Sequence, residues 1–323
     1  MELVKSLIET GNPILEHKEL EQLKSGLEAV AGVATIIQGI TKIINKPDNP
    51  LLEPLGKMAE NIQKLGEKIS ENFKELKLLV SEVNFFSRIL SPTSNMMRFW
   101  RDCIKHPGPE AVENFKRDYR KHTPLKLAYA FMAFLEHTTT NPLVMAMDAE
   151  NVKTKATFQK WTTIYNRIFF NFMLLEAFAT GLSIGNKDKE RLLDARKKVA
   201  NSIAEWRKKY EKDEAYFKEV SEWAKEFMKT SDKTNAERAD EIAKKLESYL
   251  THDSFYVFVF NKCKWQEDYT YHCNNESDQI LGNWGSGGCE QFIYRSKTGN
   301  HKIEDNYTEI KSQVDSCVSG KLT

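Results

Sequence analysis

The chain has 323 residues, of which 41% are hydrophobic and 29% are charged. This length allows two domains, and the composition is that of a folded protein, which excludes an intrinsically disordered chain. Forty-seven basic and 46 acidic residues give a net charge of +1. Proteins that grip a phosphate backbone usually carry a clear basic excess, so we do not expect nucleic acid as a partner.

The N-terminal region contains a polar stretch followed by an apolar segment. The first stretch, MELVKSLIETGNPILEHKEL, has no uninterrupted apolar core and no small-residue cleavage site, so we do not expect it to act as a secretory signal. The segment from Leu27 to Ile44, LEAVAGVATIIQGITKII, is apolar along most of its length.

Two regions have the pattern of long amphipathic helices. In the first, after Pro54 and before Pro92, apolar residues recur every three or four positions with Lys and Glu between them, which predicts a coiled-coil-like seam. This seam comprises Leu55, Met58, Ile62, Leu65, Ile69, Phe73, Leu76, Val80 and Val83. The second region, from Lys187 to Lys229, has one apolar stripe on a Lys/Glu-rich helix: Leu192, Val199, Ile203, Trp206, Tyr210, Phe217, Val220, Ala224 and Phe227.

Shorter helical segments are predicted between these two regions, namely NMMRFWRDCIKH, EAVENFKRDYRKH and PLKLAYAFMAFLEH. The aromatic residues Phe85, Phe86, Phe99 and Trp100 favour core packing at a helix junction over a membrane-interface belt. Cys103 is predicted to be a buried free thiol.

The segment RIFFNFMLLEAFATGLSIG, residues 167–185, is apolar almost all round but contains Asn171 and Glu176. Gly185 and Asn186 are a helix stop, so this helix and the charged helix after it are expected to be antiparallel neighbours. One explanation is a central bundle helix whose two polar residues find partners inside the protein. The other is a membrane element that long helices keep covered, with Glu176 facing a water-filled lumen after insertion.

On the second explanation, the apolar segments at 27–44 and 168–184 supply the inserting residues. The candidates are Leu27, Val30, Val33, Ile36, Ile37, Ile40, Ile44, Ile168, Phe169, Phe172, Leu175, Glu176, Phe178, Leu182 and Ile184. Neither segment reaches the roughly 20 clean apolar residues of a permanent membrane span.

The pattern changes near Asp253, where SFYVFVFNKCKW and CEQFIYRS predict strands. We place a domain boundary there, between a helical part at 1–252 and a small module at 253–323. The module holds Cys263, Cys273, Cys289 and Cys317 and the glycosylation sequons at Asn275 and Asn306. Two disulfides are favoured over free thiols, and a zinc site is disfavoured because the cysteine gaps are too long. Disulfides and sequons together favour a secreted glycoprotein, although no signal peptide is found.

No catalytic site is predicted. The fragments YTYHC and WGSGGC resemble the His and Ser motifs of trypsin-like proteases, but Trp284 and Gly285 stand where that motif needs Gly and Asp. No nucleotide-binding loop or metalloprotease motif occurs. We therefore expect a non-enzymatic protein without a cofactor or a bound metal.

The order of segments resembles that of the rapunzel and cephalotoxin-like helical proteins: an early AVAGVA segment, a long heptad helix, an apolar helix ending in Gly and a long charged helix. More distantly it resembles the α-helical pore-forming toxins of the cytolysin A type. The resemblance covers residues 20 to 230 and carries no motif, so no functional residue is transferred. It implies an elongated helical bundle without a catalytic centre and with membrane insertion.

Taken together, the sequence predicts a mainly α protein, an elongated antiparallel bundle with two long helices followed by a small Cys-containing β/loop module. Two hypotheses for its function follow. The first is a membrane-active protein of pore-forming, toxin-like type with a lipid membrane as partner. The second is a helical interaction or scaffold module whose long helices bind a protein partner or a second copy.

Overall fold

The computed structural model describes residues 83–184, 188–261, 278–283, 289–296 and 319–322, together with positions 31, 32, 34, 35 and 37. The seam predicted from Leu55 to Val83, except for Val83 itself, the two sequons and three of the four tail cysteines lie outside this part of the chain. Within it the protein is mainly α-helical, as the sequence predicts.

The helices follow one another with short connections. They are α1 (Val83–Phe85), a π-helical turn (Phe86–Leu90), α2 (Ser91–Lys105), α3 (Pro109–Lys121), α4 (Pro124–Glu136), α5 (Pro142–Ala149), α6 (Lys155–Gly181), α7 (Lys189–Tyr210), α8 (Ala215–Thr230) and α9 (Asn235–Glu247). The strands are β1 (Ser254–Asn261), β2 (Asp278–Asn283), β3 (Cys289–Ser296) and β4 (Ser319–Leu322).

The described residues fall into two compact units. Unit 1 contains those up to Met145 and those from Gln159 to Ala204, and unit 2 contains those from Ala146 to Phe158 and from Glu205 onward. The domain boundary near residue 252 and the elongated arrangement of the bundle stay predictions.

Proline marks the beginnings of the helices of unit 1, because its fixed φ suits the first turn and its missing N–H is not needed there. Pro92, Pro109 and Pro124 occupy the first turns of α2, α3 and α4. The Thr123 hydroxyl also accepts a hydrogen bond from the backbone N–H of Lys126, which caps α4. α3 and α4 therefore start where the sequence indicates. The prediction that a helix ends at Pro92 is wrong, because the backbone stays helical from Val83 through Leu90 and Ser91 into α2.

Unit 2 is built on an antiparallel sheet with strand order β2-β3-β1-β4. Phe255, Val257 and Val259 alternate along β1 and are buried in one cluster with apolar residues of α8 and α9. This period of two is what a strand with one face on a core requires. At the beginning of α9, Thr234 and Glu237 form a reciprocal capping box.

The prediction of one continuous helix from Lys187 to Lys229 is wrong. The structure has two helices, α7 and α8, separated by the four charged residues Glu211 to Glu214. No glycine or proline causes this break, because neither occurs between residues 186 and 281. Residues on both sides of the break make contacts outside the two helices, which are described below.

Candidate functional site

The apolar helix α6 is buried on almost every face in unit 1. Among the membrane-insertion candidates on and just after it, Ile184 is only half-buried and the others are buried: Ile168, Phe169, Phe172, Leu175, Glu176, Phe178 and Leu182. From the early segment, Ile37 is described and buried. Leu27, Val30, Val33, Ile36, Ile40 and Ile44 lie outside the described residues.

Aromatic side chains from neighbouring helices cover α6. The Phe131 ring of α4 makes edge-to-face contacts with Tyr165 and Phe169, with centroids 5.1 and 5.3 Å apart. The Phe115 ring of α3 packs in the same way on Phe178 at 5.0 Å. Edge-to-face pairs of this kind add to the energy of area burial, so the helix is held by directed contacts.

The aromatic cluster predicted at the helix junction lies in this core. Phe85 and Trp100 are fully or almost fully buried, and Phe86 and Phe99 are half-buried. Phe85 contacts the Phe131 ring at 5.6 Å. The core-packing interpretation is therefore confirmed for Phe85 and Trp100.

A buried carboxyl group lies in the middle of the apolar helix. Glu176 is 2% exposed, and its Oε2 accepts a hydrogen bond of 2.8 Å from the hydroxyl of Tyr119 on α3. Burial raises the pKa of the Glu176 carboxyl above its usual range; the Tyr119 hydrogen bond lowers it and nearby Asp188 raises it further. Burial and the adjacent Glu176 also raise the pKa of the Tyr119 hydroxyl.

The pairing of Glu176 is incomplete. Its second oxygen, Oε1, is buried without a hydrogen-bond partner in the described part of the protein. Leaving a buried polar atom unpaired costs stability, more so when the group is charged. Unit 1 therefore holds a buried carboxyl group with one unpaired oxygen in the apolar part of α6.

Asn171, the other polar residue of the apolar run, is bonded within its own helix. Its Nδ2 donates to the backbone carbonyl of Arg167, four residues earlier, at 2.7 Å. Both polar residues thus have a partner inside the protein, as the core-packing explanation requires.

The two apolar segments singled out in the sequence contact each other. A Cβ at Gly181, the last residue of α6, would lie 2.1 Å from the backbone oxygen of Ala31 and 2.6 Å from the Cβ of Ala34. The Thr35 hydroxyl donates to the Gly181 carbonyl at 3.3 Å. Only glycine allows the backbones to approach this closely. The helical residues described at positions 31, 32, 34, 35 and 37, here called the early helix, therefore pack against the C-terminal end of α6.

The cysteine predictions have different outcomes. Cys103 is free and buried, as predicted, and burial raises the pKa of its thiol to about 12. Such a thiol is inert, because the thiolate is the reactive form. Cys289 lies in β3, while Cys263, Cys273 and Cys317 lie outside the described residues, so the disulfides stay a prediction, as does glycosylation at Asn275 and Asn306.

Sequence reasoning missed Tyr119 as the partner of Glu176. The two residues are 57 positions apart, and Tyr119 belongs to an ordinary amphipathic helix. A buried carboxyl group needs a hydrogen-bond donor, so the sequence indicates that Glu176 has a donor as partner. It does not indicate which residue supplies that donor.

The described residue ranges also bear on membrane-spanning helices and on metal binding. Within these ranges, no helix is both long enough and apolar enough to cross a membrane. No cluster of three or more His, Cys, Asp or Glu side chains placed to hold a metal ion occurs in the same part of the chain.

Comparison with known proteins places the chain in a family. No curated protein and no solved structure matches it. A family model described as "Protein of unknown function (DUF684)" matches residues 53–323, well over half of the chain and including α1 to α9 and β1 to β4. The chain therefore belongs to the DUF684 family.

Proposed function

We propose that this protein is a non-enzymatic helical interaction module, which binds a protein partner or a second copy of itself through the outer faces of its helices. One observation supports this most directly: the apolar helix α6 is packed on nearly all sides and its buried Glu176 is paired with Tyr119. A helix held in this way contributes to the core and leaves binding to the polar, exposed helix faces.

Dye release from liposomes, combined with measurement of the mass in solution, tests this proposal. We expect no leakage from neutral or anionic vesicles between about pH 5 and pH 7.5, a range across which histidine changes charge. We also expect a mass that is the same with and without lipid. Leakage accompanied by assembly on the vesicles would overturn the proposal.

A variant that loosens α6 makes the test sharper. Replacing Gly181 by Ala pushes the early helix away from α6, because the new Cβ collides with the Ala31 backbone. Under the proposal this variant is less stable but still does not cause leakage. Gly32→Ala is the matched control, since nothing lies within 4 Å of a Cβ at that position.

A second candidate function is a membrane-active protein of pore-forming type. The observation that favours it is the close crossing of the two apolar segments at Gly181, because small residues at helix crossings are typical of helices that associate in membranes. If this function is correct, Gly181→Ala increases leakage relative to the wild type, whereas Gly32→Ala does not.

We also propose that residues 253–323 form a small module that is cross-linked by disulfides, glycosylated at Asn275 and Asn306 and secreted. This proposal rests on four cysteines and two sequons that occur within 71 residues. Mass measurement of the purified protein before and after reduction tests it. Without a reductant, alkylation should add mass at fewer than four tail thiols, and after reduction it should add mass at all four. Alkylation of all four thiols without a reductant would contradict the proposal.

A further inference from the structure

The break between α7 and α8 falls inside a heptad pattern that continues without interruption. One seam position recurs every seven residues as Ile203, Tyr210, Phe217 and Ala224, and the other as Val199, Trp206, Asp213, Val220 and Phe227. Asp213 is the one polar residue in this seam. The sequence is therefore suited to a continuous helix across the break.

Backbone hydrogen bonds show how little separates the two helices. The N–H of Glu211 still donates to the carbonyl of Arg207, as in an α-helix, at 2.9 Å. The N–H of Asp213 instead donates to Tyr210, three residues earlier, and the N–H of Ala215 donates to the Asp213 carboxylate. The helix is thus interrupted by one tight turn and one side-chain cap.

Residues outside the two helices hold this turn in place. The Tyr210 hydroxyl donates to Asp148 at 3.0 Å. Glu211, whose side chain is 4% exposed, pairs with His252 at 2.6 Å. On the other side of the break, the Tyr216 hydroxyl donates to Asp253. Three flanking residues therefore have partners at position 148 and in the segment that leads into β1.

The seam positions of α8 are buried to different extents, since Val220 and Ala224 are fully buried. In the heptad seam Phe217 and Phe227 are core positions, but in the structure both are only half-buried. Tyr216 and Met228, which lie outside the seam, are buried instead. The broken form thus leaves two large aromatic side chains partly exposed that a continuous helix would place on its apolar stripe.

We propose that residues 189–230 are a two-state element, broken at 211–214 in this structure and able to form one continuous helix when Asp148, His252 and Asp253 release their partners. Three of the four residues between the helices, the two Glu and the Lys, are good helix formers, and Asp213 is the only weak one. In the continuous form Glu214 and Lys218 also have the favourable i, i+4 order. The position of the segment before β1 thereby controls whether the helix is broken.

The distance between spin labels at Glu205 and Lys229, both exposed, tests the proposal in the full chain. A continuous helix puts these positions about 36 Å apart, from 24 residues at about 1.5 Å each. We expect the wild type to give a shorter distance. The triple variant D148A/H252A/D253A, which leaves the sequence of α7 and α8 unchanged, should gain a population near 36 Å.

Substitutions at position 213 give a matched pair that does not touch the core. D213L fills the polar gap in the seam and removes the cap of Ala215, so it should shift the population towards the long distance. D213P removes the same cap and also the Asp213 N–H that bonds to Tyr210, but it forbids a continuous helix, so it should keep the short distance, also in the triple variant. K245A, which breaks the Lys245–Glu219 ion pair of 3.0 Å, controls for general loss of a surface contact.

The results distinguish the two states directly. A long-distance population in D213L and in the triple variant, abolished by D213P, supports the two-state element. A short distance that persists in D213L and in the triple variant, with helical circular dichroism retained, overturns it. If the triple variant does not fold, D213L against D213P still decides the question.

Discussion

The contact at Gly181 allows a sharp prediction about what holds the early helix on α6. The perturbation is Gly181→Ala, which adds one methyl group at the helix crossing. That methyl carbon would lie 2.1 Å from the Ala31 oxygen and 2.6 Å from the Ala34 Cβ, whereas ordinary contact begins near 3.4 Å. The two backbones must therefore separate by about 1 Å, because a carbonyl oxygen cannot move away by changing a rotamer.

The expected loss follows from two opposing effects. Overpacking of this kind costs up to about 3 kcal/mol, while replacing a helical Gly by Ala gains about 1 kcal/mol. Gly181→Ala should thus lower the free energy of unfolding by about 2 kcal/mol. It should also weaken the Thr35 hydrogen bond to the Gly181 carbonyl, because the helix that carries Thr35 is displaced.

Gly32→Ala is the matched control, because it lies in the same early helix and its Cβ meets no atom within 4 Å. It should leave the stability unchanged or raise it by up to about 1 kcal/mol. Urea unfolding followed by circular dichroism measures both variants. If Gly181→Ala proves as stable as the wild type while Gly32→Ala behaves as expected, the close crossing does not contribute to the stability of unit 1.

Three further predictions concern single polar groups. The pKa of Glu176 is raised in the folded state, so the folded state holds this proton more tightly than the unfolded state. Stability therefore falls as pH rises above the ordinary Glu pKa of about 4.3. Glu176→Gln should be more stable than the wild type at pH 7 in urea unfolding, and this gain should vanish below about pH 4. Tyr119→Phe should lower stability at pH 7 by about 1.5–3 kcal/mol, the range for a hydrogen bond to a charged group; a smaller loss in the Glu176→Gln background would assign the effect to this pair, and an equal loss in both backgrounds would refute that assignment. Thr234→Ala removes the capping box of α9 and should cost about 1 kcal/mol; thermal unfolding should show it, and no change in Tm would mean that the cap contributes nothing.

The helices of unit 1 could be predicted because their signals are local. Proline at the first turn, a threonine cap and an apolar stripe act within a few residues, so α3 and α4 begin and end close to where the pattern indicates. The burial of the apolar run around Phe172 is likewise a property of the run itself. Its hydrophobicity is enough to predict that it avoids water, although not which neighbours cover it.

Features that depend on distant residues could not be predicted in the same way. The break after Tyr210 interrupts a pattern that is locally helical. The residues that bind the tyrosines on its two sides are distant in sequence: Asp148 lies 62 positions from Tyr210, and Asp253 lies 37 positions from Tyr216. The packing of the early helix on Gly181 depends on the close approach of two backbones that are far apart in sequence, since Thr35 and Gly181 are separated by 146 positions. A periodic pattern indicates which face of an element is apolar, but contains no information about partners this distant.

Tyrosine–carboxylate pairs recur in both units and connect elements that are distant in sequence. They join Tyr119 to Glu176, Tyr210 to Asp148, Tyr216 to Asp253 and Tyr249 to Glu219. In each pair the tyrosine ring is buried and its hydroxyl donates to a carboxylate. The carboxylate itself is buried only in the Tyr119–Glu176 pair, whereas Asp148 is exposed and Glu219 and Asp253 are half-buried. Such pairs stabilise one arrangement of the helices over others of equal hydrophobicity, because a shifted register leaves a buried tyrosine hydroxyl, and in the case of Glu176 also a buried carboxyl group, unpaired. This accounts for a helix such as α6 that is apolar enough to suggest a membrane and yet has one defined place in the core. Two of the four pairs, Tyr210–Asp148 and Tyr216–Asp253, lie on either side of the break between α7 and α8, which is why the triple variant is expected to release it.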